Sequence, residues 1–257
     1  MEGKLKVLCL HGFTQNAETF RAKTGSVRKS LKSKVEFVFL DAPHSAAGFF
    51  DEADRSALGT TDGADADPVG PRAWWLMGEN DAEDEAEATK PKRADREGES
   101  GGEKPRVRPA QSTNVRGWEA TERLLRGTAS ALGPFDGVLG FSQGASTAAL
   151  ALATIPELRN TVTFAVLFSG FEPMDPRAAA KLRDSAGGGG AGVRGVRSLH
   201  VHGVADRMVA RHRAEALMGA FEERPEFFSH EGGHGVPSSK PFRDCLLYTS
   251  PSPRDRG

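Results

Sequence analysis

Residues 140–144 read Gly140-Phe141-Ser142-Gln143-Gly144, a serine flanked at two positions by glycine. A short apolar run, Gly137-Val138-Leu139, precedes the pentapeptide, and a small-residue run from Ala145 to Ala153 follows it. Strand, sharp turn and helix are the setting in which a serine hydroxyl is lifted clear of a sheet to act as a nucleophile. Glycines on either side let strand and helix approach closely, because neither carries a Cβ. The helix N-terminus beneath Ser142 favours negative charge developing there. The chain has 30 glycines, so the pentapeptide alone can arise by chance. The pattern around it is what separates a nucleophile from a turn serine.

A serine hydroxyl attacks only when a base takes its proton, and the base is a histidine held in one tautomer by a carboxylate. In a strand–elbow–helix hydrolase the chain order is serine, acid, histidine, so both partners are sought after Ser142. Asp206 lies in Gly203-Val204-Ala205-Asp206-Arg207, just past the strand-like run Ser198-Leu199-His200-Val201-His202. An open α/β sheet places its site in such loops, at the C-terminal ends of its strands. Asp175, Asp184 and Glu231 compete, while Asp136 precedes the serine. Asp175 reads equally as a turn or helix-start residue, and Asp206 could instead cap the following helix. Three histidines remain: His212 between two arginines, His230 on a short strand, and His234 in Gly232-Gly233-His234-Gly235-Val236-Pro237. Glycines around His234 make a loop able to present the ring, so the expected set is Ser142, Asp206 and His234.

An oxyanion forming at the substrate carbonyl needs two donors. The backbone N–H of Gln143 is one, and the Phe13 N–H, in the loop His11-Gly12-Phe13-Thr14, is the other. His11 then shapes that loop rather than serving as a base. Phe13, Trp74, Trp75 and Phe171 are aromatic residues able to wall an acyl or alkyl chain, with ordinary core packing as the competing reading. His200 and His202 share a strand face, but spacing supplies no third ligand, so they read as core histidines. No metal and no cofactor is expected.

The elements that must position these groups are legible as alternating strands and helices. Val7-Leu8-Cys9-Leu10, residues 35–40, 163–168 and 198–202, and a last run at 227–230 read as strands, the apolar ones as buried parallel strands. Residues 17–33, the stretch from Trp118, residues 211–221 and a start at Phe242 read as helices. This alternation implies a mostly parallel sheet covered by helices on both faces. One α/β domain is expected over residues 1–247. Residues 48–71 are loop-like, and residues 79–112 carry mixed charge with Gly and Pro and almost nothing for a core, reading as a disordered surface insertion. The glycine run at 187–190 reads as a flexible loop. From Tyr248 the helical pattern stops, and residues 248–257 read as a disordered or artefactual tail.

Composition narrows the function classes. The 257 residues carry a net charge of −1, so no nucleic-acid footprint is expected. No apolar run approaches the roughly 20 residues of a membrane span. Neither a signal peptide nor a disulfide framework is expected from the N-terminus and the two cysteines, Cys9 and Cys245, which favours a cytosolic or nuclear compartment.

Taken together, these residues resemble the FSH-type serine hydrolases, a eukaryotic branch of the α/β-hydrolases. The likeness rests on residues 10–16, Arg72-Ala73-Trp74-Trp75, the run from Gly133 to Ala145, the segment ending at Asp206, and residues 231–237. The charged insertion is longer than the family's usual loop, and the tail does not match. The resemblance implies an α/β-hydrolase fold, with Ser142 as nucleophile, Asp206 as orienting acid and His234 as base. It also implies hydrolysis of carboxylic esters, medium- to long-chain acyl or alkyl esters in some members, and thioester release in others, with a small-molecule ester or thioester as substrate. A thioesterase acting on acyl carriers or acylated proteins, and a catalytically silent binding protein on the same fold, are the alternatives. Nothing in the sequence speaks to oligomeric state.

Overall fold

A computed structural model describes residues 3–49, 69–76, 114–183 and 192–249. The charged stretch 79–112, the glycine run 187–190 and residues 250–257 lie outside the described residues. Six parallel strands form the central sheet: β1 (Leu5–Leu10), β2 (Val35–Leu40), then, past a small two-stranded antiparallel sheet of β3 (His44–Ser45) and β4 (Arg72–Ala73), β5 (Gly137–Phe141), β6 (Phe164–Phe168), β7 (Arg197–Gly203) and β8 (Glu226–His230). Their order is β2-β1-β5-β6-β7-β8. The α/β-hydrolase architecture expected from the sequence is the one observed.

Helices α1 (Ala17–Lys23), α2 (Gly25–Leu31), α3 (Trp118–Leu132), α4 (Gln143–Thr154), α5 (Pro156–Arg159), α6 (Pro176–Arg183), α7 (Arg211–Met218) and α8 (Lys240–Thr249) cover the two faces. Side-chain alternation along β1 shows how the sheet divides the core. Leu8 and Leu10 join one cluster with Leu125 of α3, Ala148 and Leu152 of α4, Leu182 of α6 and Leu217 of α7. Leu5, Val7 and Cys9 join the other, with Phe20 of α1, Val27 of α2 and Phe242 of α8. Burial pushes the Cys9 thiol well above its usual range, as suits an inert core residue.

Three boundaries differ from the sequence expectation. The helical run 17–33 is broken at Thr24, whose hydroxyl donates to Phe20 O (2.8 Å) just before Gly25 restarts the helix. A bond of this kind competes with the helical ladder. Residues 176–183 form a helix whose start is Asp175: its Oδ1 accepts the N–H groups of Arg177 (2.8 Å) and Ala178 (3.2 Å). The last helix reaches Thr249, two residues beyond Leu247, the last helical residue expected. Pro251 restricts the residue before it, Ser250, and leaves Tyr248 and Thr249 free to be helical.

Chain direction across the sheet places the site. The chain passes from β1 outward to β2, then returns to the other side of β1 as β5 and continues outward to β8. Loops leaving β1 and β5 therefore diverge, opening a crevice at the C-terminal ends of the two strands.

Candidate active site

Ser142 stands at that crevice, one residue past β5 and one before α4. Its backbone has φ 52 and ψ −118, a conformation costly for any residue with a Cβ. The turn persists because its surroundings fix it. The Ser142 N–H donates to Phe168 O of β6 (2.8 Å), and its carbonyl accepts from Ala145 and Ser146. Close approach explains both glycines. A Cβ on Gly140 would lie 2.6 Å from the Ala145 Cα, and one on Gly144 would lie 2.2 Å from Leu10 O. The start of α4 thus sits directly on the end of β1.

Asp206 lies in the loop after β7. It is not a helix cap, because α7 begins at Arg211 without a side-chain cap. Its Oδ1 accepts the N–H groups of Met208 (2.8 Å) and Val209 (2.9 Å), and its Oδ2 accepts from His234 Nδ1 (2.8 Å). Burial pushes this carboxyl up, but the hydrogen bond and charge of His234 and the two backbone N–H groups outweigh it and hold the pKa at about 2. The side chain is closed to solvent (0%), whereas that of His234 is 14% exposed. With Nδ1–H committed to Asp206, Nε2 is left to accept a proton.

The loops that carry Asp206 and His234 are laced together. Val204 N–H donates to His230 O (2.8 Å) and Ala205 N–H to Gly232 O (3.1 Å). His230 Nδ1 accepts the Gly232 N–H (3.2 Å), so this histidine holds the loop that carries His234. His234 reaches the elbow strand through its ring, whose centroid lies 4.9 Å from that of Phe141, the residue before Ser142. The structure brings Asp206 and His234 into a hydrogen bond and His234 against Phe141. Among the described residues it forms no direct hydrogen bond between Ser142 Oγ and His234.

Gln143 occupies the first position of α4, where the backbone N–H has no partner within the helix. Phe13 lies in the loop after β1, followed by Thr14 in a left-handed conformation (φ 65). His11 is fully enclosed: Nε2 accepts the Ala42 N–H (3.1 Å) and Nδ1 donates to Gly12 O (2.7 Å). Burial lowers its pKa to about 4, so it is a neutral loop-shaping residue.

Trp74, Trp75 and Phe171 are closed to solvent and packed in the core cluster, with Trp75 and Phe171 edge to face at 6.4 Å. Phe13, in the loop after β1, is only partly buried and lies edge to face with Phe49, also partly buried, at 5.7 Å. His200 and His202 serve packing and loop shape. His200 Nε2 meets Ser198 Oγ (3.1 Å), and His202 Nε2 donates to Val209 O (3.0 Å). His212 is exposed on α7. The reading of the sequence missed the side chain of Gln143, which bonds to the backbone of Trp74 and Trp75. Its only signal was its place in the pentapeptide.

Residues 1–246 match a family model described as serine hydrolase (FSH1). The chain is 33% identical over 249 residues to esterase C25G4.2 of Caenorhabditis elegans, covering 95% of this chain and 91% of that protein. It is 32% identical over 247 residues to human esterase OVCA2, covering 95% of this chain and 94% of that protein. Among solved structures it is similar in fold to a Bacillus cereus carboxylesterase, with a TM-score of 0.54 at 12% identity, over 96% of this chain and 88% of that one.

Proposed function

The chain belongs to the FSH1 serine hydrolase family, and from that premise we propose that it cleaves carboxylic esters through Ser142, His234 and Asp206. The observation that carries the reading is the elbow itself: Ser142 held at φ 52 and ψ −118 between β5 and α4. The Asp206–His234 bond of 2.8 Å, which sets the tautomer, supports it.

In this mechanism Ser142 Oγ attacks the ester carbonyl carbon while His234 Nε2 takes the hydroxyl proton. Negative charge moves to the carbonyl oxygen, where the N–H groups of Phe13 and Gln143 receive it. The tetrahedral species collapses, the C–O bond to the alcohol breaks, and His234 returns the proton to the departing oxygen. Water then attacks the acyl-enzyme by the same route, releasing the acid and restoring Ser142. Asp206 keeps its charge throughout and stabilises the imidazolium. Phe13 and its neighbour Phe49 offer apolar surface to the acyl or alkyl chain.

A fluorophosphonate probe tests the reading. Wild type should label and Ser142→Ala should not; a folded wild type that stays unlabelled would sink it. A chain-length series of paired esters and thioesters then identifies the preferred acyl group.

A further inference from the structure

The two proposed oxyanion donors lie on separate stretches of chain, and one short segment, residues 72–75, is bonded to both. Toward the loop after β1, Arg72 N–H donates to Gln15 O (3.0 Å), and Arg72 O accepts the Thr14 N–H (2.8 Å). The Trp74 indole Nε1–H donates to His11 O (2.8 Å). Toward the elbow, the Gln143 side chain makes a two-point contact. Its Oε1 accepts the Trp74 N–H (2.9 Å), and its Nε2 donates to Trp75 O (2.9 Å). Thr121 Oγ1 of α3 donates to the remaining carbonyl, Trp74 O. Gln143 and Trp74 are both closed to solvent.

We propose that the Gln143 side chain and residues 72–75 form a brace that sets the spacing of the Phe13 and Gln143 N–H donors. Gln143 is then a positioning residue through its side chain as well as a donor through its backbone. The inference rests on the esterase reading above. The chemistry of the amide explains why a glutamine fits. It offers one acceptor and one donor to a peptide edge, as a neighbouring strand would, in a place where water cannot substitute. An apolar side chain of the same length supplies neither. The brace also gives Trp74 a use beyond packing, because its indole N–H ties the same segment to the carbonyl of His11. An oxyanion donor displaced by about 1 Å can cost on the order of 100-fold in rate. A brace of six side-chain and backbone bonds, closed to solvent at Gln143 and Trp74, resists such displacement.

The test uses the intact protein, a p-nitrophenyl ester, and rates per active site titrated with fluorophosphonate. Gln143→Met is expected to lower kcat by about 10- to 100-fold with KM nearly unchanged. Trp74→Phe, which removes the indole donor and retains an aromatic ring, should lower kcat in the same sense. A boronic acid that mimics the tetrahedral species should lose affinity by the same factor as kcat/KM. Gln143→Glu supplies a rescue. Its neutral carboxyl can accept from Trp74 and donate to Trp75, so its rate relative to wild type should fall as pH rises and the carboxyl ionises. An unchanged kcat per site in Gln143→Met and Trp74→Phe would overturn the brace, as would a rise in KM at constant kcat. If wild type neither labels nor turns over esters, the esterase reading falls and this inference with it. A labelled, active wild type with indifferent brace variants overturns the brace alone.

Discussion

Asp206 and His234 illustrate how surroundings assign roles to single side chains. One carboxylate oxygen is taken by two backbone N–H groups and the other by His234, so the carboxylate keeps its charge and the ring keeps one tautomer. Asp206→Asn is expected to lower kcat by about 10³- to 10⁴-fold, because an amide can present the ring with a donor and favour the wrong tautomer. His230 and His234 separate by the same reasoning. His230 Nδ1 accepts from Gly232 and supports the loop, whereas His234 faces the elbow strand. If His234 is the base as proposed, His234→Ala should abolish turnover; His230→Ala should cost only about tenfold, through displacement of the loop that carries His234. Steady-state kinetics on the two variants check this, and a greater loss in His230→Ala would reverse the assignment of the base.

At the scale of elements, the site depends on how closely α4 lies against β1. A Cβ at Gly144 would meet backbone, Leu10 O at 2.2 Å and His11 O at 2.3 Å, which cannot rotate away. Gly144→Ala should therefore destabilise the protein by about 1–3 kcal/mol or more. Gly127 in α3 has nothing within 4 Å of its notional Cβ. Gly127→Ala should be neutral or stabilising by about 0.5–1 kcal/mol, since alanine is the better helix former. Thermal melts of the pair test the claim, and equal melting temperatures would refute it. The strand and helix pattern around Ser142 was legible because it depends on neighbours: an apolar run, a glycine on each side, small residues after. The start of α6 was legible only as an alternative, because Asp175 suits both a turn and a helix start until its two N–H partners are seen. The 72–75 segment was legible as a motif but not as a brace.

At the scale of the whole molecule, the buried titratable groups point to acid sensitivity. Burial lowers His11 to about 4 and His200 to about 3, both from an ordinary value of 6.5. The folded state keeps these rings neutral while the unfolded chain protonates them. Stability is therefore complete above pH 6.5 and declines as pH falls, down to about 4 for His11 and about 3 for His200. Each histidine contributes up to about 1.4 kcal/mol per pH unit inside its window. Asp206, depressed from 3.8 to about 2, adds a loss between those values as its carboxylate is protonated. Urea midpoints measured between pH 7 and pH 4 should fall, and His200→Phe should flatten that slope. A slope equal to that of wild type would show that His200 carries none of it.

The sequence by itself determined the order of the candidate groups along the chain: the elbow around Ser142, an aspartate after a later strand, a histidine in a glycine loop, and strands alternating with helices. These are short-range properties, set by backbone sterics and by which face of an element is apolar. The tertiary structure alone decided which groups meet. Asp206 and His234 are 28 residues apart, and Gln143 reaches across 69 residues to Trp74. Those contacts depend on strand order, which places the loops after β1 and β5 on either side of one crevice. The tertiary structure also decided that Trp74, Trp75 and Phe171 are sealed in the core. A tryptophan in a sequence reads as apolar bulk, and only its packed neighbours reveal whether that bulk faces a ligand or holds a backbone in place.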